Sequence, residues 1–258
     1  MASKLRDTQG RMLSKSEIKN LQKLHSKKGR DRAGAFLVEG EKLVKEAIDS
    51  NFEVSRCYFT KSVKSDLGMQ LALGSEITAS EMKQISNLVN PSPALACVHM
   101  PKRTRDILQL ATTKAIAVDN LRDPGNLGTI IRTADWFGIN IVFLIGDCVD
   151  IYNPKVVQSS MGSFFRAQFF EITIDDLKDL NGVGYKIVGA EMSGEKPESL
   201  QEIGTGCLVI GNEANGLSSA VKNILDSSVS IRRHGKAESL NAAIAAGILM
   251  SAWVSPQN

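Results

Sequence analysis

Apolar positions along the chain change character near residue 100. Before it they recur in short pieces of mixed period. Ile18, Leu21 and Leu24 lie three apart with basic residues between them, which predicts a helix opening at Ser16-Glu17-Ile18. A short apolar run at Ala35–Val38, a helical stretch at Glu41–Ile48 and an alternating strand at Val54–Phe59 follow. A further apolar run, Ala94–Val98, comes after the turn Pro91-Ser92-Pro93. These elements predict a small α/β unit closing near Met100. Pro101-Lys102-Arg103-Thr104-Arg105 is polar, basic and opened by proline, the composition of a linker. Beyond it, buried runs alternate with helical segments. Ala115–Val118, Ile141–Ile145, Phe165–Phe170, Lys186–Ala190, Cys207–Ile210 and Val229–Ile231 have the short, continuously apolar look of parallel strands covered on both faces. Leu127–Phe137, Lys155–Met161, Leu217–Leu225 and Ser239–Val254 are the helices expected between and after them. The expected organisation is an N-terminal α/β domain over residues 1–100, a linker over 101–114 and a doubly wound, parallel-sheet α/β domain over 115–258, with ligands at the carboxyl ends of its strands.

Composition narrows the classes. A chain of 258 residues, 43% hydrophobic and 23% charged, is globular and buries a core without disulfides or structural metal. Cys57, Cys97, Cys148 and Cys207 stand far apart, with no CxxC and no histidine at ligand spacing, so no metal site is expected and a reducing compartment is. The opening MASKLRDTQGR has no apolar core of a secretory signal. The longest apolar stretch, Ala242 to Val254, falls short of the roughly 20 residues of a membrane span. A soluble, cytoplasmic protein is expected.

Charge adds a partner. Residues 1–35 carry ten Lys/Arg against three Asp/Glu, while the rest of the chain is net −4. A basic segment on a mildly acidic body suits a polyanion, and equally a solvated helix face. No aromatic residue precedes Phe36, so phosphate contact is a more natural use for it than base stacking.

Three stretches could carry chemistry. In Asp119–Arg132 a strand end meets a Pro124-Gly125-Asn126 turn and a helix start, which either holds an anion on its amides or is simply well capped, with Arg132 one turn beyond Gly128. Leu208–Ser218 is a buried strand entering a glycine-bounded turn with a single carboxylate, Glu213, although turn chemistry alone also explains its glycines and asparagines. Ile231–Asn241 is a strand end, a basic loop holding Arg232, Arg233 and Lys236, then Ser239 as a candidate N-cap with Asn241 inside the first helical turn. None of the three is a GxGxxG fingerprint or a Walker loop, and the three histidines have no nucleophile elbow beside them.

Taken in order, N-L-G-T-I-I-R-T-A, V-I-G-N-E-A-N-G-L and I-(x)8-L-N resemble the SpoU/TrmH family of RNA ribose 2′-O-methyltransferases, within the SPOUT superfamily of trefoil-knotted enzymes. V-V-Q-S-S-M-G-S-F-F-R at 156–166 looks like the family's linking segment. L-x-x-L-x-x-K-K-G-R and F-L-V-E-G-E-K-L-V-x-E-A are similar to the opening of the substrate-binding domain often fused in front, which itself resembles small RNA-binding ribosomal proteins. The resemblance implies S-adenosylmethionine as methyl donor, a homodimer, and RNA as substrate, ribosomal RNA rather than transfer RNA by analogy with the fused domain. It assigns Gly211, Ile231 and Leu240 to the cofactor, with Ile210 and Met192 beside them, and Asn126, Arg132, Glu213, Ser239 and Asn241 to the catalytic set. Lys27, Lys28 and Arg30 in the basic segment, and Arg232 and Arg233, are the expected RNA contacts.

The implied reaction joins a poor nucleophile to an activated methyl group, so alignment and stabilisation of a developing alkoxide are the enzyme's task. Arginine is a very reluctant proton donor to solvent and so an awkward base, and Arg132 is expected to bind a phosphate and steady the alkoxide instead. Glu213 and Asn241 are expected to hold the loops in place. The chain departs from the family at Arg232-Arg233-His234, where Pro-Met is usual. That departure keeps open a rival: a non-catalytic RNA-binding or ribosome-assembly factor on the same fold. A nucleotide-binding enzyme at Asn126–Thr129 is the other rival and lacks a fingerprint.

Overall fold

The computed structural model describes residues 12–63, 74–101 and 107–255. The basic residues 4, 6 and 11 and residues 102–106 of the expected linker lie outside the described residues. The chain forms two compact units, Met1–Lys102 with Tyr152–Phe165, and Arg103–Ile151 with Arg166–Asn258. The segment Tyr152–Phe165, which the apolar pattern places inside the second domain, thus packs with the first unit.

In the first unit, α1 (Lys15–Lys23), α2 (Lys27–Ala33), β1 (Ala35–Glu39), α3 (Glu41–Asp49), β2 (Val54–Phe59), β3 (Gly74–Glu76), α4 (Ala79–Ile85) and β4 (Ala94–His99) follow in order. The sheet order is β1-β4-β2-β3, with β4 antiparallel to both of its neighbours and β3 parallel to β2. Helix α1 starts one residue before the expected position because Ser14 and Glu17 form a reciprocal capping box; Thr78 and Glu81 do the same for α4. Leu21, Leu24, Tyr58, Met82, Ile85 and Leu95 close the core beneath these helices. On its own side of the unit, Phe36 meets Phe52, Tyr152 and Phe164 with ring centroids 4.9–6.3 Å apart, and Phe165 joins through Phe52 and Phe164. This cluster explains one misplaced element. The strand expected at Phe165–Phe170 begins only at Gln168, because Phe164 and Phe165 turn their rings into the cluster from a 3₁₀ turn.

The second unit contains β5 (Lys114–Asp119), α5 (Pro124–Trp136), β6 (Ile141–Ile145), β7 (Gln168–Ile172), α6 (Ile174–Gly182), β8 (Lys186–Glu195), β9 (Gly206–Ile210), β10 (Ser227–Val229) and α7 (Ala242–Val254). Its strands pair in the order β10-β8-β9-β5-β6-β7, and every pairing is parallel. Residues of β6 and β9 are buried without interruption, as continuous apolar runs require. The helix expected over Leu217–Leu225 shrinks to the single turn Ser219–Lys222, capped by Ser218. Helix α7 starts at Ala242, not Ser239; the end of the helix is tied by Trp253, whose Nε1 donates to Ile203 O at 2.9 Å and whose ring lies under the Lys114 ammonium.

All four cysteines are free, and burial pushes every thiol up, Cys57 to about 11, so none is a thiolate near neutrality. Among the described residues no cluster of His, Cys, Asp and Glu could hold a metal ion, and no helix is long and apolar enough to cross a membrane. Tyr185 is 1% exposed in the core of the second unit, and among the described residues its hydroxyl has no hydrogen-bond partner. A buried donor without a partner is a cost, so Tyr185→Phe is expected to leave stability unchanged or raise it by up to about 1 kcal/mol in urea unfolding. A loss above that size would mean the hydroxyl is satisfied.

Candidate active site

A cavity of about 650 Å³ opens at the carboxyl ends of β8, β9 and β10. Its walls come from three separated stretches: Ala190–Ser193 on β8, the turn Ile210–Leu217 after β9, and the loop that runs from Ile231 into α7. This is where ligands sit on parallel sheets.

The middle stretch is built tightly. Asn212 and Gly216 exchange backbone hydrogen bonds of 3.0 and 2.9 Å, and Asn212 Oδ1 accepts from the amides of Ala214 and Asn215. Gly216 supplies the left-handed corner at φ +65°. Asn212 Nδ2 donates to Asn120 O at 2.9 Å, and the fully buried Asp119 accepts from Ser218 N at 2.6 Å, so both ends of the turn are fastened to the end of β5.

All five residues expected at the cofactor, Met192, Ile210, Gly211, Ile231 and Leu240, lie around this cavity. Met192 and Leu240 are 68% and 47% exposed, side chains open to a ligand rather than packed in the core. Glu213 and Ser239 also line it. Asn126 and Asn241 do not, but they are joined to it through Glu213. Asn126 Nδ2 donates to Glu213 Oε1 at 2.6 Å, and Asn241 Nδ2 donates to Asn126 Oδ1 at 2.8 Å. Residues 87 and 115 positions apart thus form one chain of hydrogen bonds.

Two expectations are corrected. Asn241, not Ser239, is the N-cap of α7, its Oδ1 accepting from Ala243 N and Ile244 N; the same amide serves the cap and the chain to Asn126. Helix α5 is capped by Asp123, whose carboxylate accepts from Asn126 N at 2.7 Å, which favours the capped-helix reading of Pro124-Gly125-Asn126 over the anion reading. Arg132 is exposed on α5 and is not among the residues lining the cavity.

Arg232, Arg233 and His234 line the cavity, which stays open in their presence; Arg233 donates within its own loop, to Ala237 O at 3.4 Å. In the first unit, Lys27 and Lys28 are exposed, with Lys27 paired to Asp31 at 3.0 Å. Arg30 is a third correction. It is 3% exposed and gives its guanidinium to the carbonyls of Leu24 and His25, so it staples the α1–α2 turn instead of facing a ligand.

Sequence reasoning missed several lining residues. Ala242, Ala245 and Leu249 follow helical spacing on α7 and were legible as one face. Glu191 and Lys222, an ion pair of 2.8 Å at the cavity wall, carried no signal in the chain.

Comparison with known proteins supplies the lineage. The family model described as the SpoU rRNA Methylase family matches residues 113–251, and that of the MRM3-like substrate binding domain matches residues 15–96. The 23S rRNA (guanosine(2553)-2′-O)-methyltransferase RlmP of Bacillus subtilis is 34% identical over 241 residues, covering 91% of this chain and 94% of its own. Two solved structures align over nearly the whole chain. The AdoMet-bound rRNA methyltransferase of Sinorhizobium meliloti does so with a TM-score of 0.84 at 26% identity, covering 96% of this chain and 98% of its own. The SpoU methyltransferase AviRb of Streptomyces viridochromogenes, in complex with AdoMet, does so with 0.81 at 27%, covering 93% and 97%. With its second unit matched by that model and a relative similar along nine-tenths of its length, the chain belongs to the SpoU rRNA methylase family.

Proposed function

We propose that this chain transfers the methyl group of S-adenosylmethionine to a ribose 2′-hydroxyl of ribosomal RNA. The observation that carries the reading is the convergence of the second and third motifs on one cavity, with the first tied to it by the Asn241–Asn126–Glu213 chain. The relatives' names, 2′-O-methyltransferases of 23S rRNA, support the substrate.

The residues present fit the donor. The cavity falls within the size range of small-molecule sites. Met192, Ile210, Ile231, Leu240 and Leu249 offer apolar surface for an adenine ring, and the Gly211–Gly216 turn brings backbone polar groups to the same space. Gly211 is the cradle: any Cβ there would meet Gly216 and Leu217 backbone. The donor supplies a methyl group already activated on a sulfonium. The chain's own residues shape and orient the site. Glu213, Asn126 and Asn241 fasten the turn after β9 to the starts of α5 and α7. Arg132, a donor with no acceptor, binds an RNA phosphate and steadies the negative charge that grows on the 2′-oxygen.

Arg132 lies outside its own cavity, and this favours a dimer. Trp136 on α5 is 85% exposed, and Ile244 and Ile248 on α7 are 55% and 41% exposed, on two helices that pack together. A helix as uniformly apolar as α7 is ordinarily covered. A second copy seated on this face would cover it and bring the Arg132-bearing helices together. The trefoil-knotted SPOUT topology is the expectation that goes with membership of the SpoU family. The functional division at 1–100 and 115–258 is supported by the two family matches, and a cytoplasmic location by bacterial rRNA-modifying relatives.

Calorimetric titration with S-adenosylmethionine, with ATP as control, tests the reading. Saturable binding of S-adenosylmethionine alone is expected. A folded protein that binds neither would leave the non-catalytic RNA-binding factor.

A further inference from the structure

Between α4 and β4 the first unit makes an eight-residue connection, Ser86-Asn87-Leu88-Val89-Asn90-Pro91-Ser92-Pro93. Its order comes from Glu39 at the end of β1, which is 7% exposed. The Glu39 carboxylate accepts from Ser86 Oγ at 2.5 Å, Asn87 N at 3.1 Å and Ser92 N at 3.1 Å. Ser86 Oγ in turn accepts from Leu88 N at 3.0 Å. Both ends of the loop therefore close on one buried carboxylate, Pro91 stiffens what lies between and Pro93 follows the second anchor.

The tip is nonetheless in water. Val89 is 97% exposed, and Asn87 and Asn90 are exposed on either side of it. A lone exposed valine is ordinary. A loop that spends conformational entropy and a desolvated carboxylate to hold one in place is not, because the tip gains no packing in return.

The surroundings say what the tip would meet. His25 Nε2 lies 2.9 Å from Ile85 O and Gln22 Nε2 donates to Gln84 O at 2.9 Å, so the end of α1 sits on the residues that lead into the loop. From that turn runs α2, with Lys27, Lys28 and Arg32 exposed. A cationic helix and a rigid tip bearing two amides and an apolar side chain thus share one end of the unit. Cations of this kind take phosphates, while amides and apolar tips take the edges and faces of unpaired bases.

We propose that Ser86–Pro93 is the base-reading element of this protein's RNA-binding unit, with Val89, Asn87 and Asn90 engaging unpaired nucleotides, α2 holding the phosphates beside them, and Glu39 as the positioning residue. The proposal rests on the ribosomal RNA reading above.

The test is filter binding of the full chain to in vitro transcribed 23S rRNA and to a mixed-sequence RNA duplex, over a range of salt. Val89→Ser with Asn90→Ala is expected to cut the preference for 23S rRNA about tenfold or more, leaving the salt slope and S-adenosylmethionine affinity unchanged. Lys28→Ala with Arg32→Ala is expected to weaken both RNAs alike and lower the slope by roughly 1 to 2. Glu39→Ala should reproduce the loop variant's loss of preference, and Glu39→Gln, which keeps an acceptor, should restore part of it. Wild-type preference in the Val89/Asn90 variant overturns the proposal while leaving the ribosomal RNA reading intact. A wild-type chain with no preference overturns both. Loss of methylation only on ribosomal particles, with naked-RNA preference intact, assigns the loop to a ribosomal protein and also overturns the proposal.

Discussion

Gly211→Ala is expected to lower S-adenosylmethionine affinity by at least about 100-fold, a loss of roughly 2.7 kcal/mol. A Cβ built at Gly211 falls 2.3 Å from Gly216 C, 2.5 Å from Leu217 N and 2.6 Å from Gly216 O. All three are backbone atoms, so no rotamer relieves the clash and the turn itself must open. Opening breaks the Asn212–Gly216 pair, draws Glu213 from Asn126 and strains the Ser218–Asp119 anchor. The fold is expected to survive. Overpacking of this kind typically costs about 1–3 kcal/mol, and β5, β8 and β9 keep their buried pairings. Calorimetry, with urea unfolding on the same sample, separates the two effects. Near-wild-type affinity would mean that the turn after β9 does not shape the donor site.

Arg132→Ala is expected to reduce turnover by about 10²–10³-fold, the usual consequence of removing one donor aimed at developing negative charge. Cofactor affinity should barely move, because Arg132 does not line the cavity. Arg132→Lys is expected to recover little, since a point charge does not reproduce the planar fork that grips a phosphate in two places. If Arg132 serves the cavity of a second copy, Arg132→Ala co-expressed with Gly211→Ala should restore about a quarter of wild-type activity. Half of randomly assembled dimers are then mixed, and each mixed dimer holds one complete site. No recovery in mixed dimers would place Arg132 at its own chain's cavity, and full activity of Arg132→Lys would end the argument for a guanidinium.

Much of the fold was legible because burial on both faces writes itself into the chain as unbroken apolar runs. Ile141–Ile145 needs no correction, and Lys186–Ala190 and Cys207–Ile210 need only extension. What misled was local chemistry answered by distant partners. Phe165 looks like a strand residue until Phe36 and Phe52 take Phe164 and Phe165 into their cluster. Ser239 is as good an N-cap by type as Asn241, and the choice falls to Asn241 because Asn126 accepts its amide from the start of α5. Arg30 reads as surface charge beside Lys27 and Lys28, yet the carbonyls of Leu24 and His25 draw it inside. The expected residues around the cavity came from motif resemblance, not from periodicity. The contacts that make them one site, Glu213 to Asn126 and Asn126 to Asn241, span most of the second unit and leave no mark at short range. Glu191 and Lys222 were invisible for the same reason.

The most direct test of the account is the product itself. The purified protein, isotopically methyl-labelled S-adenosylmethionine and ribosomal RNA are incubated, and the RNA is digested to nucleosides for mass spectrometry. The account predicts label in a single 2′-O-methylated nucleoside, accumulating about 100-fold or more slowly with Arg132→Ala, and with Gly211→Ala at limiting donor. Label on a base, or RNA that stays unlabelled while the protein binds the donor, would contradict it.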